Sequence, residues 1–190
     1  MKKRRFLITA LALINITGCM STMDKLAGVG QINSSTSEFS GARVVELSQS
    51  HNYSVDGMVT TKFGARWTSD APESVALKLI YNSDSSQTDS YTSFSKIKVN
   101  MNGDIKTFSA GKTYLDRSDY NDVSRTIYTT SVAYVTLPLS YLEEMLNADS
   151  CKIRISSNDG YEDVSFDVGK LGAVEYSKAK LANFVEEIKK

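Results

Sequence analysis

The stretch from Cys151 to Val168 alternates apolar and polar residues on both sides of one turn signal, and this pattern constrains the fold most. Cys151, Ile153 and Ile155 precede Asp159-Gly160, and Val164, Phe166 and Val168 follow it. Successive side chains of a strand point to opposite faces, so a period of two around a turn specifies an antiparallel hairpin with one apolar face. With Asp159 and Gly160 as the two central turn residues, Ile155 pairs with Val164, Ile153 with Phe166 and Cys151 with Val168. Arg154 then faces Ser165, and Lys152 faces Asp167, on the other side. A slip of one residue would scatter the apolar set. Cys151 is therefore expected as a small buried hydrophobe.

The same texture runs from Arg43 to Val168, where short runs of Val, Ile, Thr, Tyr and Phe are punctuated by Gly, Asn and Asp. Val75, Leu77, Leu79 and Tyr81 alternate with Ala76, Lys78 and Ile80. Thr126 to Leu137 carries Ile127, Val135 and Leu137 on one face and Tyr128, Val132 and Tyr134 on the other, which suits a central strand. Around Asn102-Gly103, a three-residue loop of Met101, Asn102 and Gly103 pairs Val99 with Ile105. It is preferred over a two-residue turn that sets Val99 against Lys106. Asp56-Gly57 is a third turn candidate with no clean face in either register. Two helices are expected. Ser140 to Glu143 matches a capping box behind Pro138, and Val174 to Lys190 places Val174, Leu181, Phe184, Val185 and Ile188 on one stripe. The fold class is mainly β, an antiparallel sandwich with a short helix between late strands and a C-terminal amphipathic helix.

The N-terminus is of a different kind. Lys2, Lys3, Arg4 and Arg5 precede a short apolar run from Phe6 to Ile14, and Ile16-Thr17-Gly18-Cys19 follows. The run is shorter than the roughly 20 residues a membrane-crossing helix needs and has the layout of a secretory signal. Its ending resembles the lipobox of bacterial lipoproteins. That resemblance implies cleavage before Cys19, with a diacylglyceryl thioether on the Cys19 sulfur and an acyl chain on its amino group. Met20, where inner-membrane lipoproteins of Gram-negative bacteria commonly carry aspartate, resembles an outer-membrane destination. Residues 1–18 are then the signal, 19–42 a lipidated Ser/Gly-rich tether, and 43–190 one globular domain; Asp24 to Val29 is a candidate helical turn within the tether.

Lys+Arg and Asp+Glu both number 22, and removing residues 1–18 takes away four cations and no acid, leaving a net charge of −4 on 172 residues. A nucleic-acid partner, which needs a basic footprint, is not expected. With Cys19 committed to lipid, Cys151 has no intramolecular disulfide partner. His51 is the only imidazole, no Gly-x-Ser-x-Gly elbow occurs, and one histidine without a cysteine pair does not make an ordinary zinc site. Asp116, Asp119 and Asp122 recur every three residues but miss the EF-hand pattern, and a polar loop with Asx-turns is the expectation. No cofactor and no catalysis are expected.

One arrangement suggests contact with a partner. In the three-residue-loop register Lys98 sits opposite Lys106, and Lys96 opposite Phe108. Like charges facing each other are tolerable only if solvated or met by an anion, so this stripe suits either a solvated, edge-protecting face or contact with lipid headgroups or an acidic partner. The expectation is a lipid-anchored outer-membrane protein that binds or supports another envelope component without catalysis. The alternatives are a small-ligand or lipid carrier, with a cavity lined by residues such as Tyr128, Val132 and Tyr134, and, third, a hydrolase.

Overall fold

The computed structural model describes residues 28–55, 59–84, 91–172 and 174–190. The signal, Cys19, most of the Asp24–Val29 turn candidate and the Asp56-Gly57 turn lie outside the described residues. A six-stranded antiparallel sheet is built from β1 (Ile32–Thr36), β2 (Arg43–Ser50), β3 (Lys62–Thr68), β4 (Ser74–Asp84), β7 (Tyr114–Arg117) and β8 (Tyr128–Pro138), in the order β1-β2-β3-β4-β8-β7. A four-stranded sheet has the order β10-β9-β5-β6, from β5 (Phe94–Met101), β6 (Asp104–Ser109), β9 (Cys151–Ser157) and β10 (Gly160–Ser165). Helix α1 (Leu139–Asn147) lies between β8 and β9. The short pair β11 (Lys170–Leu171) and β12 (Val174–Glu175) leads into helix α2 (Ser177–Ile188). The fold is mainly β and antiparallel, with a short helix between late strands and a C-terminal helix.

One core joins both sheets and both helices. Val45 and Leu47 of β2, Phe63 and Ala65 of β3, and Leu77 and Leu79 of β4 face Ile97 and Val99 of β5 and Ile153 and Ile155 of β9 in a single buried cluster. α2 closes the β2–β3 side of this core with Leu181, Phe184, Val185 and Ile188. Arg43 completes the closure: its guanidinium donates to the Ile188 carbonyl at 3.0 Å and the Glu187 carbonyl at 2.6 Å. Those carbonyls lie at the end of the helix, where cations are favoured by its dipole.

Several expectations need correction. β1 pairs with β2 from Ile32↔Leu47 to Thr36↔Arg43, so the folded body takes in residues assigned above to the tether. The Cys151–Ser165 hairpin forms, with Cys151, Ile153, Ile155, Val164 and Phe166 buried together, but its register is Ser157↔Gly160 and Ile153↔Val164. The two loop residues are Asn158 and Asp159, and Gly160 adopts φ +129° just after them. The shift is by two residues, which preserves the faces while placing Arg154 opposite Asp163 instead of Ser165.

The Asn102-Gly103 loop has two residues, not three, with φ 51° at Asn102 and 97° at Gly103. Val99 does face Lys106, and Ile97 faces Phe108. Asn and Gly tolerate the positive φ that a two-residue hairpin turn of the primed kind demands, and the Asn100 side chain further accepts the Gly103 N–H at 2.9 Å. Turn chemistry here outweighs apolar matching.

No side chain caps α1: Pro138 is the N-cap and Ser140 lies inside the first turn. The Leu139 N–H donates instead to the Glu73 carbonyl at 2.8 Å, so tertiary backbone satisfies it. Val174 belongs to β12 and not to the helical stripe.

Candidate functional site

The face of the four-stranded sheet turned away from the core is basic. Side chains alternate along β5 and β9, so Ile97, Val99, Ile153 and Ile155 point inward while Lys96, Lys98, Lys152 and Arg154 are exposed. The β5–β9 register sets Lys98 opposite Arg154 and Asn100 opposite Lys152. Four cations thus occupy neighbouring positions on two adjacent strands. Among the described residues one carboxylate answers them: Arg154 donates to both oxygens of Asp163 across the β9–β10 ladder, at 2.7 and 2.6 Å. These bonds hold the Asp163 carboxyl below its ordinary value and push Arg154 above its own. The guanidinium also lies 4.0 Å from the centroid of the Tyr161 ring. Arg154 is therefore held in place on both sides, whereas Lys96, Lys98 and Lys152 have no ion pair among the described residues.

A groove of about 530 Å³ runs over this face, lined by Lys98, Asn100, Lys152, Arg154, Asp163 and Ser165, with Ser54 and Val55 flanking it and Lys96 just beyond its lining. The 53–55 segment is tied to β10 by the Ser165 N–H, which donates to the Tyr53 carbonyl at 2.8 Å. The arrangement can bind an anion or an acidic surface. Among the described residues it offers neither a nucleophile paired with a base nor paired carboxylates.

Lys96, Lys98, Lys106 and Phe108 do not form one stripe. Lys96 faces Ser109 and Lys98 faces Thr107 on the outer side of the sheet, whereas Lys106 lies opposite Val99 on the inner side. The Lys106 ammonium is 4.5 Å from the Tyr141 ring centroid, and Phe108 packs on the same ring at 5.1 Å. The sheet thus brings Lys96 and Lys98 together with Lys152 and Arg154, and separates them from Lys106 and Phe108. The signal for Lys152 and Arg154 was present in the polar face of the Cys151 hairpin. Only the long-range β5–β9 pairing reveals what they adjoin.

The remaining candidates lie apart from this face. Cys151 is fully buried, and burial pushes its thiol up to about 12, so it stays protonated and unreactive at neutral pH. The His51 carbonyl accepts the Ser177 N–H at 2.8 Å, at the start of α2. Asp116 is in β7, and the turn beyond it is organised by Asn121, whose side-chain oxygen accepts the Val123 and Ser124 N–H groups at 3.0 Å each. The Asx-turn is thus made by an asparagine and not by the aspartates. No group of three or more His, Cys, Asp or Glu side chains suited to a metal occurs among the described residues.

Tyr128, Val132 and Tyr134 occupy the side of β8 away from the core, where Tyr134 contacts Tyr114, and they line no interior cavity. A smaller cavity of about 190 Å³ is lined by Thr60, Thr61, Thr92, Phe94, Asp159 and Glu162, and Asp159 accepts the Thr92 hydroxyl at 3.0 Å. Burial raises the pKa of Glu162, but hydrogen bonds from Thr60 and Thr61 outweigh it and leave the carboxyl below its ordinary value. Glu162 serves to pin the 60–61 segment to β10.

No protein-family model, curated protein or solved structure matches the chain. Among the described residues, no helix is long and apolar enough to cross a membrane.

Proposed function

We propose that this protein is a lipid-anchored, non-catalytic binding module of the bacterial cell envelope, held at the outer membrane through Cys19. In this reading it meets another envelope component with the outer face of its four-stranded sheet. The observation that carries the reading is the row of Lys96, Lys98 and Lys152 beside Arg154, left with a single carboxylate among the described residues, on a domain whose mature net charge is −4. Adjacent like charges repel by about 1 kcal/mol or less in water. The fold gains nothing from the arrangement, whereas an acidic partner would be steered to it. The position of Tyr128, Val132 and Tyr134 on the side of β8 away from the core favours an interaction module over a carrier.

The test places a photocrosslinking residue at Thr107, beside Lys98 on the outer face, and another at Arg66 on the six-stranded sheet, in intact cells. A discrete adduct is expected from Thr107 and not from Arg66, and it should disappear in Cys19→Ala as that variant leaves the membrane fraction. Equal adducts from both positions would overturn the contact face. A Cys19→Ala variant still membrane-bound at its mature mass would overturn the anchor.

A further inference from the structure

We infer that the groove on the four-stranded sheet takes an extended acidic segment of a partner protein, with carboxylates at alternate positions. The inference rests on reading that face as the contact surface, and adds the chemistry and conformation of the occupant. Its basis is spacing. Lys96 and Lys98 are two residues apart on one face of β5, and Lys152 and Arg154 are two apart on the same face of β9. Positions two apart in a strand are separated by roughly 6.6–6.8 Å. An extended peptide of the pattern acid-x-acid presents its carboxylates at the same interval. One such segment lying along the strands meets a cation at each acidic position, and its intervening side chains point away.

The shape of the site agrees. The 53–55 segment flanks the sheet on the β10 side, so the basic surface is a groove and not a plane. An extended chain fits such a groove. The polar groups of Asn100 and Ser165, on either side of Lys152, add hydrogen-bonding capacity. Arg154, already engaged by Asp163 and stacked on Tyr161, supplies a fixed wall, while Lys98 and Lys152 have their ammonium groups available.

The test uses the full lipidated chain in neutral detergent and a dye-labelled octapeptide of alternating glutamate and serine, with binding read by fluorescence anisotropy at about 50 mM salt. The peptide is expected to bind, and the Lys98→Glu variant to lose about tenfold in affinity. Lys106→Glu carries the same kind of charge reversal on the opposite face and should change affinity by less than about twofold. Both variants alter exposed side chains, and matched melting temperatures establish that each is folded. Equal losses in the two variants would overturn the proposal, because bulk charge would then explain binding. Displacement of the peptide by soluble short-chain phosphatidylglycerol at lower concentration than by unlabelled peptide would overturn it in favour of a lipid headgroup. If the peptide fails to bind while the Thr107 crosslink persists, the acidic-segment occupant falls and the contact-face reading stands.

Discussion

Replacing Gly64 with alanine should destabilise the fold by about 1–2 kcal/mol, and the reason lies in the bulge of β2. Leu47 pairs with Ala65 and Ser50 with Phe63, so Ser48 and Gln49 together oppose Gly64. Two residues against one is the mark of a β-bulge. It turns two carbonyls onto the glycine: a Cβ at position 64 would lie 2.7 Å from the Ser48 oxygen and 2.9 Å from the Leu47 oxygen. The Ile80 Cδ1 would close the third side at 3.4 Å. Backbone cannot swing aside as a flexible side chain can, so the strand pair must separate locally. Overpacking of this kind costs roughly 1–3 kcal/mol, offset by the roughly 0.4–1 kcal/mol that Gly→Ala contributes by restricting the unfolded chain. The difference corresponds to a fall in Tm of about 2–8 °C for a domain of this size. Gly111→Ala is the matched control, because its Cβ would meet only the Tyr134 oxygen at 3.5 Å, an ordinary contact. Thermal melts followed by circular dichroism decide the matter. Equal Tm values for the two variants would refute the steric account and with it the described bulge.

Gly160→Val should cost roughly 1–3 kcal/mol although open space surrounds the position, because φ +129° is strained for a β-branched residue; an unchanged urea midpoint would show that the turn is misplaced. Glu162 contributes stability that is present above its unfolded pKa and is lost as pH falls through its lowered folded value, since hydrogen bonds from Thr60 and Thr61 favour the ionised form. Urea midpoints taken from pH 7 to pH 3 should therefore fall less steeply below about pH 4.5 in Glu162→Gln than in the wild type; parallel curves would remove Glu162 from the acid response.

Which face each residue takes was legible where both faces differ sharply in polarity, and register was not. In the Cys151 hairpin the alternation identified Cys151, Ile153, Ile155, Val164 and Phe166 as buried, because a shift of two leaves parity untouched, whereas Val168, expected with them, is half-buried beyond the end of β10. It misassigned the partners, because the loop closes on Asn158-Asp159 with Gly160 following. In the β5–β6 hairpin the matching of apolar residues misled, since β6 is an edge strand whose side chains need not be buried. Lys106 can oppose Val99 by laying its stem along the sheet edge with its ammonium over Tyr141, and Ile105 is left exposed. The candidate site was half visible for the same reason. Lys96 and Lys98 were singled out from one hairpin, while Lys152 and Arg154 lay in another. The pairing of β5 with β9 spans about fifty residues of chain, and no local pattern announces it. The capping box failed differently: Ser140 and Glu143 have suitable spacing, but the Glu73 carbonyl already serves the helix start.

The place of α2 has a consequence for the order in which the molecule can form during synthesis. Leu181, Phe184, Val185 and Ile188 cover the inner side of strands laid down more than a hundred residues earlier, and Arg43 reaches the Ile188 carbonyl across a separation of 145 positions. Until those last turns arrive, Val45, Leu47 and Phe63 have no cover on that side. Such long-range closure is slow compared with local pairing, so a chain emerging amino end first stays open and threadable for most of its length. A copy interrupted before Ser177 would carry an uncovered apolar sheet, a substrate for quality-control proteases rather than a shortened working protein.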